Sequence, residues 1–460
     1  MDTFTTFDHG PTQSPIARHL SKNDLYNCVR VSKAFRDIYL PALWHSLNLD
    51  ELLDFLHKAP IHLEHFTSGL WRNGSLVRVL TCETADDSNL LPLFLEMVVA
   101  PSCRHLKHII LAIPEQERHK GWHRALFKGN SRSLIGFSLD IAEHSMDLIS
   151  SYLSWSRFPH LQELLLHMEG HCDLDSLVKI IDRCPGLTTL MLTGLEEVVQ
   201  GPSFAYGPLE PYHPTGIKCL GVDGAASADI LLCLLASCPK LTHLYITGCI
   251  GHPGTTNLPP GLEACDMSVA LGTAPTSLRH LIYTGHPHCN NASSGERDVL
   301  TILVSLSHVP LEELHIIDAS CGRDSFIMID ELFSASLRSV FICSLMSTTT
   351  ETVRDLLVHG KNLISFELSY PGPHTDHIDA WELVRQPWGC TKLQSLMLPI
   401  GHDSKFTIYR KKNGNSDPLQ ILLTLDPQMR QLRHIRNTAL ACLCGKTVLS
   451  EFFAARRKRK

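Results

Sequence analysis

The sequence predicts an α/β fold made of repeated strand–turn–helix units, set behind a short N-terminal helical module. Two observations predict it. A six-residue apolar pattern, L-x-x-L-x-L with apolar substitutions, recurs twelve times between Leu106 and Leu432, about thirty residues apart on average, and helical apolar spacing fills several of the intervals. The composition permits such a fold: of 460 residues, 44% are hydrophobic and 19% charged, with none of the long polar tracts that remain disordered.

The totals also exclude function classes. A net charge of −6 supplies no global field for nucleic acid or an anionic membrane. The first residues, MDTFTTFDHGPTQSP, lack a basic flank followed by an apolar run, and no stretch approaches about 18 uninterrupted apolar residues. A soluble, non-secreted chain is expected, cytoplasmic and/or nuclear, with no membrane and no nucleic acid as partner. Its sixteen cysteines then serve as reduced, small apolar fillers, and no paired CxxC motifs stand at zinc spacing.

Residues 1–13 are expected to be disordered, and residues 14–50 to form the helical module. Within it, Ser21 and Asp24 make a capping box, which starts a helix carrying Leu25, Cys28 and Val29 on one side. Ser32 caps a second helix with Phe35, Ile38 and Tyr39 on its inner face. Pro41 is expected to stop that helix and Trp44 to pack back on the pair. On spacing alone, a cap for the first apolar edge of a repeat array and a docking module are equally good readings.

The hexads follow. They are LKHIIL at Leu106, LIGFSL at Leu134, LQELLL at Leu161, LTTLML at Leu187, IKCLGV at Ile217 and LTHLYI at Leu241. Next come LRHLIY at Leu278, LEELHI at Leu311, LRSVFI at Leu337, LISFEL at Leu363, LQSLML at Leu393 and a degenerate LRHIRN at Leu432. Positions one, four and six turn inward, so a short strand buries three apolar side chains and leaves positions two, three and five facing out. Stacked copies bury one another, each leucine contributing roughly 1.5 to 3 kcal/mol. The segments 173–186, 227–240 and 349–362 have polar starts, helical apolar spacing and a Pro or Gly stop, which completes a strand–turn–helix unit. The loops GPSFAYGPLEPYHPTG, GHPGTTNLPPG and YRKKNGNSD lengthen some steps, and LEACDM at Leu262 is a candidate extra strand.

The hexads, with Cys184-Pro185 and Cys238-Pro239 just ahead of two of them, resemble the cysteine-flavoured leucine-rich repeats from about Leu76 to Leu432. That resemblance implies a horseshoe-like solenoid over residues 51–445, roughly 13 units with a parallel sheet on the concave face and helices on the convex face, and then a C-terminal helix and basic tail over 446–460. The segment HLSKNDLYNCVRVSKAFRDIYLPALWHSL resembles the F-box motif through Leu20, Asp24, Leu25, Cys28, Val31, Ser32, Lys33, Phe35, Pro41, Leu43 and Trp44. The chain as a whole is similar to fungal-type F-box proteins with leucine-rich repeats; for the family's opening Leu-Pro-x-Glu-Ile it offers only Pro15, Ile16 and Leu20.

The resemblance implies a non-enzymatic substrate receptor of an SCF-type cullin-RING ubiquitin ligase. Docking on a Skp-type adaptor would use Ile16, Leu20, Leu25, Val29, Val31, Phe35, Leu43 and Trp44. The alternative is a repeat scaffold or inhibitor with no ligase connection. Target binding is expected on position five, where Ile110, Leu165, Met191, Tyr245, Ile282, Phe341 and Met397 form a nearly continuous apolar stripe with no folding role on an exposed face.

Position three carries His108, His243, His280 and His434, expected on well-separated strands as ordinary surface histidines. GHPHCNN, HMEGHC and CLCG each lack the second ligand pair of a closed zinc site. No P-loop, dinucleotide glycine fingerprint, nucleophile elbow or nucleophile–base pair is present. No catalytic residue, metal or cofactor is therefore expected. The terminal RRKRK, Arg456 to Lys460, reads as a disordered, solvated end, a nuclear import signal or a phosphate-binding tail.

Overall fold

A computed structural model of the chain describes residues 16–58, 63–83, 94–113, 121–141, 156–170, 174–195, 215–224, 228–248, 267–285, 292–344, 349–369, 378, 383, 386, 388–398 and 434–435. Two compact units divide the chain, Met1–Val198 and Val199–Lys460.

The first unit begins with helices α1 (Lys22–Val31) and α2 (Lys33–Leu43). Both predicted caps are in place. The Asp24 amide donates to Ser21 Oγ at 3.2 Å while the Ser21 amide donates to Asp24 Oδ2 at 3.3 Å, and the Phe35 amide donates to Ser32 Oγ at 3.2 Å. Leu25, Val29, Ala17 and Tyr39 form the small core of this pair, with Leu20, Cys28 and Leu43 packed against it. Pro41 does not stop α2, which continues to Leu43; a proline in the last turn forfeits only one intrahelical bond, and the Trp44 amide still reaches the Leu40 carbonyl at 3.1 Å.

Six parallel strands follow in this unit, each paired with the next where the pairing is described: β1 (Ser46–Asn48), β2 (Val79–Cys82), β3 (His108–Ile113), β4 (Gly136–Ile141), β5 (Glu163–Gly170) and β6 (Thr189–Leu195). The second unit stacks eight more: β7 (Cys219–Gly224), β8 (His243–Thr247), β9 (His280–Thr284), β10 (Glu313–Ala319), β11 (Ser339–Ser344), β12 (Ser365–Ser369), β13 (Ser395–Met397) and β14 (His434–Ile435). Every strand from β3 onward starts at the third position of a hexad. The three predicted helices form as Leu174–Arg183, Ala228–Ser237 and Thr350–His359, so each unit has the α/β build of a leucine-rich-repeat solenoid. Leu262 and the three long loops, apart from Thr215 and Gly216 at the end of the first, lie outside the described residues.

Two strands precede the first hexad that sequence reading found. Registering β2 on β3 identifies VRVLTC at Val77 as a hexad, and registering β1 on β2 identifies WHSLNL at Trp44 as another. Leu47 and Leu49 are 8% and 0% exposed, and Val77, Leu80 and Cys82 are at most 0% exposed. The residue that closes the F-box-like segment is therefore position one of the first strand. After helix α3 (Leu49–Lys58) comes helix α4 (Leu63–Asn73), and Trp44 packs not on the helix pair but on Phe66 of α4, ring centroids 6.3 Å apart, so close that a Cβ on Gly69 would sit 3.3 Å from its ring. The boundary expected at residue 50 falls just past this strand, inside helix α3, so the predicted helical module takes in the whole of β1.

One backbone device recurs at each described junction up to β13. The position-two carbonyl accepts two amides of the next strand's hexad, as Lys107 O does from Ile135 N at 2.7 Å and Gly136 N at 3.0 Å, and as Arg338 O does from Ile364 N at 2.7 Å and Ser365 N at 3.0 Å. This fork fixes zero register slip, so like positions stack. From β2 to β13 positions one, four and six are buried, Leu106, Leu134, Leu161, Leu241, Leu278, Leu311 and Leu363 all at 0% exposure. Tyr283, at position six of β9, keeps its hydroxyl satisfied by donating to Gly248 O at 3.1 Å. On β10 the ladder shifts between Ile317 and Ala319, with Asp318 at φ 50°, and the bulged backbone passes so close to Gly285 that a Cβ there would collide with the Asp318 carbonyl.

Asn130, 1% exposed at the end of helix α5 (Gly121–Asn130), staples adjacent turns together: it accepts from Leu106 N at 2.9 Å and donates to Cys103 O and Leu126 O at 2.8 and 2.9 Å. The Asn130→Ala variant leaves the buried Leu106 amide and Cys103 carbonyl unsatisfied and should lose about 3 kcal/mol. A lowered urea midpoint for the N-terminal unit is the expected outcome; an unchanged one would show that water replaces the staple.

Candidate functional site

Two surfaces carry chemistry that folding does not consume. The first is on the helix pair. Nine large hydrophobic side chains stand exposed among the described residues, and five fall within residues 16–38: Ile16 at 62%, Tyr26 at 51%, Val31 at 68%, Phe35 at 41% and Ile38 at 51%. Two short helices cannot bury an apolar stripe on every side, and this pair spends Leu25, Val29 and Tyr39 on its own core. Phe35 and Ile38, expected on the inner face with Tyr39, lie instead one turn apart on the outer side of α2. Of the eight predicted docking residues, Ile16, Val31 and Phe35 are exposed, Leu20, Leu43 and Trp44 are half-buried, and Leu25 and Val29 are buried at 6% and 8%. Tyr26, over which the Arg30 guanidinium lies 5.4 Å from the ring centroid, and Ile38 were missed because neither belongs to the quoted motif.

The second surface is the side of the sheet formed by hexad positions three and five. In the N-terminal unit, Ile110, Leu165 and Met191 are half-buried in one row, and the strand registers put Ser138 between Ile110 and Leu165. In the C-terminal unit the same row runs Tyr245, Ile282, His315, Phe341, Glu367, Met397. Within each unit the predicted residues thus stand on the expected face, but the row is interrupted by Ser138 in the first unit and by Gly221, His315 and Glu367 in the second, and is not nearly continuous.

The histidines depart further from expectation. His243 and His280, 37 residues apart in the chain, are register partners on neighbouring strands, their rings stacked at 4.0 Å and 3°. His280 Nδ1 lies 2.9 Å from Glu313 Oε2, at an angle off the axis of a hydrogen bond, and His243 Nδ1 lies 2.8 Å from the Thr242 hydroxyl. The long loop between the two hexads concealed this adjacency, since strand neighbours are set by repeat order and not by loop length. His108 stands on β3 in the other unit; of His434 only the backbone is described.

Burial and the neighbouring His280 hold His243 below the usual imidazole value against the opposing pull of Glu313. Burial does the same to His315, with Glu313 and Glu367 opposing it and His280 adding to it. In HMEGHC, His167 hydrogen-bonds Thr193 at 2.9 Å and lies 3.9 Å from Asp140, while Cys172 falls outside the described residues, as do His286 to Asn291 of GHPHCNN, both cysteines of CLCG, and Arg456 to Lys460. Among the described residues no group of three or more His, Cys, Asp or Glu side chains is arranged to hold a metal ion. The ten described cysteines are free thiols; burial pushes Cys184 up to about 12 and Cys238 up to about 11, which suits fillers and not nucleophiles. No described helix is long and apolar enough to cross a membrane.

No protein-family model matches the chain, and no curated protein matches it. Solved structures similar to it include these two. One is the Rad7 and Elc1 complex of yeast, at 15% identity and a TM-score of 0.39, over 85% of this chain and 96% of that one. The other is the leucine-rich repeat-containing protein LegL7 of Legionella pneumophila, at 14% identity and a TM-score of 0.35, over 74% and 98%. Both similarities are low, and the repeat architecture stands on the strand pairing itself.

The lowered pKa values of His243 and His315 have a consequence for stability. The unfolded chain takes up protons near the ordinary value of 6.5 while the folded rings resist, so their contribution is intact above that value and is lost as pH falls through the window below it. Between about pH 7.5 and 5.5 the urea midpoint of the wild type should drop further than that of the double variant His243→Gln, His315→Gln. Parallel losses would show that these rings protonate as freely folded as unfolded.

Proposed function

We propose that the chain is the substrate-recognition subunit of an SCF-type cullin-RING ubiquitin ligase, docking on a Skp-type adaptor through its N-terminal helices and holding a target protein on the sheet face of its repeats. One observation carries the proposal: the concentration of exposed large apolar side chains on the very segment that resembles the F-box, on helices whose folding does not need them. Docking would then rest on Ile16, Tyr26, Val31, Phe35 and Ile38. Leu25 and Val29 would hold the two helices in shape beneath that surface, and Trp44 would tie them to the first strand. A few such anchors, seated in a partner's groove, carry most of the energy of helix docking.

In this reading the chain is no enzyme. It raises the effective concentration of a target beside a ubiquitin-charged enzyme, and proximity of that kind asks for no reactive side chain here. It would act in the cytoplasm, the nucleus or both. A second reading has its own observation. Because Trp44, Leu47 and Leu49 supply positions one, four and six of the first strand, the helical module also caps the array, as a plain scaffold or inhibitor would require.

Mutation separates the two readings. The double variant Val31→Asp, Ile38→Asp alters only exposed positions, so its melting temperature should match the wild type. Co-purification with a Skp-type adaptor should be present in the wild type and lost in the variant. A folded variant that still brings the adaptor down, or a wild type that never does, would favour the scaffold. Leu25→Asp is the contrasting control: it buries a charge in the core of the pair and should unfold the module, at a cost of about 3 kcal/mol or more.

A further inference from the structure

The C-terminal unit's sheet face has a chemical character that its apolar row alone does not convey. Phe341 lies in the middle of it. On one side its register partner is His315, ring centroids 5.6 Å apart; on the other it is Glu367, half-buried and without an ion-pair partner among the described residues. Glu313, two residues before His315 on the same face of β10, stands beside the stacked pair His243 and His280. Glu313 and Glu367 are thus two strands apart and offset by two residues along the strands, roughly 12 Å, with an aromatic ring between them.

No lysine or arginine occupies positions three or five on any strand from β7 to β13. Among the described residues the nearest cations belong to position two, at the edge of this face. Arg279 and Arg338 both lie against Glu312, at 3.5 and 3.4 Å, and Lys218 is exposed beyond β7. The other groups facing the histidine stack are Cys219 and Tyr245, neither of them a cation, and the Thr242 hydroxyl. At neutral pH the formal charge of these two rows is therefore carried by carboxylates, set among aromatic and imidazole rings.

We propose that this face takes a protein segment presenting lysine or arginine side chains, one of them seated over Phe341 between Glu313 and Glu367, with His243 and His315 making the grip sensitive to pH. The proposal rests on the reading of this face as a target-binding surface and is independent of the ligase connection. Complementary charge draws such a segment in, and a desolvated cation over an aromatic ring beside a carboxylate holds it. Acidification works against it. Protonated His243 and His315 place positive charge next to Glu313 and Glu367, which cancels the attraction on which the segment depends.

The test uses the full chain and a fluorescein-labelled ten-residue peptide of alternating arginine and serine, read by fluorescence anisotropy at about pH 7.5, with the glutamate–serine peptide as control. Saturable binding of the arginine peptide alone is expected, about tenfold weaker in the double variant Glu313→Gln, Glu367→Gln. It should also weaken severalfold at about pH 5.5, and that pH step should shrink in the double variant His243→Gln, His315→Gln. Thermal melts confirm that each variant is folded. Equal binding of both peptides, or undiminished binding by the Glu313→Gln, Glu367→Gln variant, would overturn the proposal. So would binding that emerges only after removal of residues 456–460, which would assign the face to the chain's own basic end. The assay contains no adaptor, so its failure leaves the ligase reading standing, and loss of adaptor binding leaves this one standing.

Discussion

Within each unit the structure depends on one repeated hydrogen-bond fork, in which a single position-two carbonyl accepts two amides of the following strand, as Gln162 O does from Thr188 N and Thr189 N, both at 2.9 Å. The fork removes register freedom at the start of every strand. Since side chains alternate along a strand, a slip of one residue would send every leucine to the wrong face. With slip forbidden, identical positions stack into rows: leucine rows inside, where they bury one another, and rows of mixed chemistry outside. Folding energy and binding surface thus come from the same constraint. It makes no demand on the length of the chain between hexads, which is why this array tolerates intervals as uneven as the 24 residues from Ile217 to Leu241 and the 37 from Leu241 to Leu278.

That same constraint explains what could be read in the sequence. Twelve hexads were legible because leucine or a close substitute marks their inward positions, and all twelve start strands. WHSLNL and VRVLTC escaped because Trp44, Val77 and Cys82 replace leucines at inward positions, and because the first lies inside a segment that already had another reading. The caps at Ser21 and Ser32 were legible, being local hydrogen bonds between near neighbours. The facing of Phe35 and Ile38 was not: apolarity says that a side chain prefers burial, and only the size of the available partner surface decides whether it is buried. The stacked histidines were hidden for a different reason. Their partnership is a property of repeat order, visible only once the irregular loop between them is discounted.

The N-terminal helices are best understood as two things in one. Trp44 and the strand it opens make them the first layer of the array, and the side chains on their outer surface remain unspent. Removing residues 1–50 outright would take β1 away with the helices, so truncation cannot separate a docking role from a capping role. Surface substitutions can, because the core residues Leu25, Val29 and Tyr39 and the exposed residues Val31, Phe35 and Ile38 form distinct sets on the same two helices.

The measurement that bears most directly on the central claim is amide hydrogen exchange of the full chain with and without a purified Skp-type adaptor. Slowed exchange across residues 21–44 is expected on adding the adaptor, with the strands from β7 to β13 unchanged. Unaltered exchange in the helices, or protection confined to the sheet face, would contradict that claim.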